Sequence, residues 1–190
     1  MSKNILIFAS GEGSNAENIV RYFDKNPNVN IKMILCNRQK AGVLDRAVKL
    51  GIPARSFSRA DLYDSDVVLN MLKDLQIDFI VLSGFMMLVP VSILKVYHNR
   101  IVNIHPALLP KHGGKGMFGM HVHEAVKEAG EKESGITIHF VNEKYDSGDV
   151  VFQAKCTVDA SDMPEDIAAK VHKLEYLYYP EIIEKVIKTL

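Results

Sequence analysis

Four short, largely apolar runs punctuate the first part of the chain, namely Ile5–Ala9, Ile31–Cys36, Phe79–Ser83 and Ile101–Ile104. Runs this apolar over so few residues read as buried strands, the pattern of a parallel sheet. Between them, Ala16–Phe23, Val43–Leu50 and Asp64–Leu75 carry helix-compatible spacing, as in Val67, Leu69, Met71, Leu72 and Leu75. Strand, helix, strand in this rhythm predicts an open α/β sheet with helices on both faces. The later sequence changes character. Gly135–Asn142 and Val150–Val158 read as strands separated only by the turn Glu143–Asp149, which predicts an antiparallel pair added to that sheet. A final helix is expected from Asp162-Met163-Pro164-Glu165 toward Leu190, with Pro in its first turn and an interruption or kink at Pro180. Lys111–Met120, with Gly113, Gly114, Gly116 and Gly119, reads as a mobile loop before a helix at His121–Ala129.

At 190 residues and 47% hydrophobic, the chain fits one domain, residues 1–190, with a core that needs no staple. Cys36 and Cys156 have no metal-type spacing and sit among apolar neighbours, so both read as strand thiols. Lys plus Arg equals Asp plus Glu at 23 each, which leaves no global basic footprint for nucleic acid or an anionic membrane. The first apolar run ends at Ser10-Gly11, too short for a signal segment or a span, so a cytoplasmic setting is expected.

Three places hold residues suited to chemistry. Gly11-Glu12-Gly13-Ser14-Asn15 lies where the first strand turns into a helix, and free N–H groups at a helix start favour a phosphate there. The bland reading is equally balanced: Ser14 and Glu17 match a capping box and need no ligand. Asn103 and His105 are two apart and project together from the end of a central strand, the edge where open α/β sheets bind ligands. An amide N–H₂ can stabilise an oxyanion and an imidazole can move a proton, a minimal acyl-transfer kit; either residue alone would be an ordinary satisfied polar group. Asp146, in Tyr145-Asp146-Ser147-Gly148, is by itself a normal turn residue. Folded over His105, its carboxylate would favour the imidazolium and raise the histidine above its ordinary value. His139 projects from the preceding strand as a supporting or simply buried group.

Ile167, Val171, Leu174 and Tyr178 form a helical apolar stripe with Glu175 at its edge. A carboxylate turned toward a core needs a partner from the protein or from a bound amine, although an exposed Glu is the commoner case. His172 falls three residues earlier, on the outer side. His121 and His123 are two apart rather than three or four, and no second cluster joins them, so no metal is expected. G-x-S-x-G is absent, which removes a nucleophile elbow.

Taken together and in order, IFASGEGSN (Ile7–Asn15), GFMML (Gly84–Leu88), NIHPALLP (Asn103–Pro110), GITIHFVNEKYD (Gly135–Asp146) and the helix with Glu175 resemble the folate-dependent formyltransferases. The closest likeness is to the branch whose acceptor is phosphoribosylglycinamide, in purine biosynthesis. The resemblance implies a Rossmann-like fold and a transferase using 10-formyltetrahydrofolate as cosubstrate, without metal. It implies catalytic roles for Asn103, His105 and Asp146, with His139 behind them. Gly13, Ser14, Asn15, His172 and Glu175 would bind the acceptor. Met86, Met87, Leu88, Val89, Asn103, and the loop Asn142, Glu143, Lys144, Tyr145, Asp146 would bind the folate, and Arg59 would reach its glutamate tail. Met87 stands where relatives often carry Arg, and His172 where they carry an amide. The Gly113–Met120 stretch is longer than in the shortest relatives and reads equally as a water-excluding lid or as a surface insertion. Methionyl-tRNA formyltransferase and formyltetrahydrofolate deformylase each need a further domain, and neither is expected here. A phosphosugar-binding module that had lost catalysis is the reading from another class. Small-molecule partners and a monomer or homodimer are expected.

Overall fold

The computed structural model describes residues 2–190. Seven strands form one sheet in the order β3-β2-β1-β4-β5-β6-β7. They are β1 (Lys3–Ala9), β2 (Val29–Cys36), β3 (Ala54–Ser56), β4 (Phe79–Ser83), β5 (Ile101–His105), β6 (Glu133–Phe140) and β7 (Val150–Thr157). The first five run parallel; β6 is antiparallel to β5, and β7 to β6. The expected mixed sheet is therefore the one found.

The apolar runs work because strand side chains alternate faces. Ile5, Ile7 and Ala9 of β1 enter one core cluster, whereas Leu6 and Phe8 enter the other. The first cluster is closed by α1 (Ser14–Phe23), α2 (Gly42–Leu50) and α7 (Pro164–Ile187). The second is closed by α3 (Arg59–Tyr63), α4 (Val67–Asp74) and α5 (Val91–Val96). The remaining helix, α6 (Met120–Glu128), packs on α7. β1 has β2 on one side and β4 on the other, so the connections diverge there. At such a switch point the loops leaving the strand ends part and open a crevice.

The expected helix Asp64–Leu75 is α4 alone, Val67–Asp74, and a separate short helix absent from the sequence reading, α3, precedes it. Ser58 caps α3, its hydroxyl taking the Asp61 N–H while Asp61 takes the Ser58 N–H. The break lies at Asp64–Asp66, before α4 begins.

Pro180 does not end the last helix, which continues through it to Ile187. A proline has no N–H for the carbonyl four residues back, here that of Tyr176. Asn18 of α1 supplies the missing donor, with Nδ2 2.9 Å from Tyr176 O. Beside it, fully buried Tyr179 donates its hydroxyl to Leu82 O at 2.7 Å and lies 3.4 Å from Val102 O, tying α7 to the ends of β4 and β5. Tyr179→Phe leaves a buried carbonyl without its donor and is expected to cost about 1–3 kcal/mol. Urea denaturation checks this; an unchanged midpoint would mean that water replaces the hydroxyl.

Candidate active site

β1 delivers the glycine loop to the crevice. Gly13 adopts φ +76°, and a Cβ there would run into the side chain and backbone of Val43. That left-handed residue, with no side-chain cap, starts α1. The capping-box reading of Ser14 and Glu17 is thereby corrected: Ser14 is already the first helical residue, and Glu17 pairs instead with Arg21 and Arg46. The N–H groups of the first turn are thus left uncapped by any side chain, as anion binding requires. Arg46 Nε also donates to Glu12 O at 2.7 Å, which fixes the loop from below.

Asn15 spans the crevice, its Nδ2 2.9 Å from Glu175 Oε2. His172 Nδ1 lies 2.7 Å from the same oxygen. Glu175 is buried, not an exposed helical Glu, and its partners are these two side chains. The hydrogen bond to Glu175, the main influence, raises the His172 pKa against partial burial.

β5 presents Asn103 and His105 as expected, and the turn Tyr145–Gly148 folds over them. Asp146 sits at φ +50°, and its Oδ2 is 3.5 Å from His105 Nδ1 while accepting the Gly114 N–H at 3.0 Å. His139 faces Asn103 across the β5–β6 ladder. Its Nδ1 lies 2.8 Å from the Phe140 carbonyl, which can only accept, so in the neutral ring Nε2 is the bare nitrogen, whereas in the protonated ring it is a donor 3.6 Å from Asp146 Oδ1. That nitrogen receives the Asn103 amide at 3.1 Å, leaving a second, longer approach of 3.5 Å to Asp146 Oδ1. His139 therefore orients the amide.

The electrostatics correct one expectation. Burial, the dominant influence, pushes the His105 imidazole below its ordinary value, and Asp146 and the His112 carbonyl only oppose it. His105 is neutral in the free protein at neutral pH. Burial, the largest influence on the Asp146 carboxyl, pushes it up; His139, His105 and the Gly114 N–H together outweigh this and hold it below the usual range.

His123 is likewise buried and depressed by burial. The linkage has a definite sign. The unfolded chain protonates these two histidines near pH 6.5, above their folded values, so it binds more protons and stability rises with pH up to about 6.5. His172, with its raised value, contributes stability that is full below about 6.5 and lost above, but it is half exposed and counts for less. Urea midpoints are expected to fall between pH 7.5 and pH 5; a flat profile would contradict the burial argument.

These groups line one cavity of about 610 Å³ that runs from the Gly11–Asn15 loop past Glu175 to Asp146. Phe118, Met117 and Met120 of the glycine-rich stretch form part of its wall. Three of its polar atoms are buried without any partner: Asn15 Oδ1, Ser83 Oγ and His123 Nδ1. Buried orphans are rare, and three facing one cavity point to a polar occupant. Ser83 and His123 escaped the sequence reading. The strand-end argument used for Asn103 applies equally to Ser83, whereas His123 was weighed only as a metal ligand.

The residues expected around the folate divide. Met86, Tyr145 and Asp146 line the main cavity. Asn142, Glu143 and Lys144 line a second cavity of about 740 Å³ on the α5 side of the same turn. Asn142 also builds that turn, its Oδ1 accepting Lys144 N–H and the Ser147 hydroxyl. Met87 packs against the core, Val89 is buried, and Leu88 O accepts the Tyr63 hydroxyl at 2.8 Å. Arg59 stacks over the Tyr63 ring at 4.6 Å, outside the lining of both cavities. Both thiols are free, Cys36 buried and Cys156 partly so. Among the described residues, no group of three or more His, Cys, Asp or Glu is arranged to hold a metal, and no helix is long and apolar enough to cross a membrane.

An amide donor, an imidazole and a carboxylate gathered at the switch point of a Rossmann-like sheet define an α/β transferase site, suited to moving an acyl group between bound small molecules. The chain belongs to the Formyl transferase family, which it matches over residues 3–183. It is 33% identical over 190 residues to the phosphoribosylglycinamide formyltransferase of Bacillus subtilis, covering 97% of this chain and 95% of that protein. It is 38% identical over 187 residues to the chloroplastic enzyme of that name from Arabidopsis thaliana, covering 95% of this chain but only 64% of the relative's length. The crystal structure of phosphoribosylglycinamide formyltransferase from Bacillus halodurans superposes with a TM-score of 0.86 at 34% identity, covering 97% of this chain and 95% of that one.

Proposed function

We propose that the protein transfers the formyl group of 10-formyltetrahydrofolate to the glycine amine of phosphoribosylglycinamide, as a step of purine biosynthesis. The observation that carries this reading is that an uncapped helix start, a buried Glu175 and the Asn103–His105–Asp146 cluster lie along one cavity. The first turn of α1, with Gly13, Ser14 and Asn15, takes the phosphate. Glu175, with His172 beside it, takes the glycinamide, and the orphaned Ser83 and His123 atoms meet its polar groups. The folate lies along Met86–Val89 and the Asn142–Asp146 turn, and Arg59, stacked on Tyr63 outside both cavities, is the cation proposed for its glutamate tail.

Transfer is direct. The acceptor amine adds to the formyl carbon, forming a carbon–nitrogen bond and a tetrahedral intermediate, whose collapse breaks the bond to the folate nitrogen. The Asn103 amide exchanges its long contact with Asp146 for the developing oxyanion. His105, neutral beforehand, receives the proton the amine sheds; Asp146 then stabilises the imidazolium, and the proton passes on to the departing folate nitrogen. Holding both reactants in one closed crevice supplies the remaining rate advantage. The unit acts on small molecules in the cytoplasm, without nucleic acid, as one domain and as a monomer or homodimer.

The deciding experiment mixes purified protein with phosphoribosylglycinamide and 10-formyltetrahydrofolate and follows tetrahydrofolate by absorbance. Release that depends on the amine supports the proposal. Release without it would indicate a deformylase, and binding without turnover a phosphosugar module. Glu175→Gln is expected to raise the acceptor KM about tenfold, the value of one charge-assisted contact, with kcat less affected; an unchanged KM would remove Glu175 from the acceptor site.

A further inference from the structure

The segment after Pro110 crosses the mouth of the site as a strap, and its main chain touches both members of the His105–Asp146 pair. The His112 carbonyl lies 2.8 Å from His105 Nε2, and the Gly114 N–H is 3.0 Å from Asp146 Oδ2. A carbonyl can only accept, so His105 carries its hydrogen on Nε2 and turns a bare Nδ1 toward Asp146 and the cavity. The strap thus chooses which nitrogen faces the chemistry.

This strap does not hold itself. His112 adopts φ +54°, a left-handed conformation disfavoured for a non-glycine residue. Gly114 follows at φ +100°, and a Cβ on Gly113 would strike the Leu109 side chain and come within 3.3 Å of Asp146 Cβ. Such a conformation persists only where its surroundings impose it. What imposes it lies outside the cavity. Glu131 Oε1 is 3.3 Å from His112 Nε2, and both carboxylate oxygens are 3.0 Å from Lys111 Nζ.

Glu131 directly follows Gly130, whose φ of +62° closes α6, and its own N–H returns to Val126 O at 3.3 Å. A carboxylate at the C-terminal end of a helix is disfavoured by the helix dipole, so helix stability does not explain it. Lys111 and then His112 hold this carboxyl below its usual range, and it is ionised.

We propose that Glu131 is a positioning residue that pins the strap through His112 and thereby fixes His105 as the Nε2–H tautomer with Asp146 held against it. Its kinetic consequence rests on the formyl-transfer reading, but the tautomer itself does not. Lys111 is two-thirds exposed, so its ion pair is screened and contributes little. The arm to His112, 15% exposed, carries the effect.

The test uses Glu131→Ala, Glu131→Gln, Lys111→Ala and His112→Ala in the full chain. Ring ¹⁵N shifts of His105 read the tautomer in protein without substrate, so that arm decides even if no transfer activity is found. Glu131→Ala is expected to give a mixed tautomer signal and about a tenfold lower kcat, with both KM values within about twofold, as a small misplacement would. Glu131→Gln, which keeps an acceptor for His112, should recover most of the kcat. Lys111→Ala should change neither readout. His112→Ala should behave like Glu131→Ala, and it serves if the latter fails to fold. A pure Nε2–H signal in both Glu131→Ala and His112→Ala, or a loss in Lys111→Ala as large as in Glu131→Ala, would overturn the assignment.

Discussion

Asp146→Asn is expected to lower kcat by about 10²- to 10⁴-fold, the range that a positioned acid–base group contributes. The substitution keeps the side chain's shape and removes the negative charge 3.5 Å from His105 Nδ1. Because burial already disfavours the charged imidazole, that carboxylate is the main group nearby that makes a passing proton affordable on His105. The new amide would also have to turn its oxygen toward the Gly114 N–H, presenting N–H₂ elsewhere in the cluster. Single-turnover rates with both substrates saturating isolate the chemical step. A rate within about threefold of the parent would return Asp146 to the ordinary turn residue that its local sequence describes.

Asn103→Ala is expected to lower kcat by about 10²- to 10³-fold, the usual loss for one oxyanion donor, with little change in either KM. It should also reduce stability by about 1 kcal/mol, since His139 Nε2 loses its donor inside the sheet. The two effects separate cleanly, because a denaturation curve reports the second without substrate. If KM rose in proportion to the fall in kcat/KM while kcat held, the amide would be binding the ground state and the oxyanion role would be wrong.

Much of this was legible in the residues. The apolar runs within β1, β2 and β4 read correctly as buried strands, because burial on both faces accounts for most of their residues, and the shared face of Asn103 and His105 followed from period two. β3, only Ala54–Ser56, is too short to leave a pattern, and α5 with Val91–Val96 is too short to show a stripe. The failures have particular causes. Ser14 and Glu17 fit a cap by spacing alone, but the left-handed turn at Gly13 moves the helix start by one residue and leaves the hydroxyl no role as a cap. For His105, sequence identifies a carboxylate partner but cannot weigh it against burial, and burial prevails. The contact that orients His105 comes from a main-chain carbonyl, which every residue possesses and which therefore leaves no mark in a sequence.

The proline in α7 has a consequence for what the crevice can hold. By freeing the Tyr176 carbonyl, Pro180 creates the seat that Asn18 occupies, one residue beyond Glu175 and one turn beyond Asn15. Asn15 to Glu175 and Asn18 to Tyr176 are then two rungs between the same pair of helices. One helix begins at the uncapped turn after Gly13 and the other carries the Glu175 carboxylate, so the rungs set the spacing between them. On the acceptor reading proposed above, that spacing is the distance over which a phosphorylated amine has to reach. A gap in a helix's own hydrogen bonding, well away from the reacting atoms, thus sets the spacing of the two proposed anchor points.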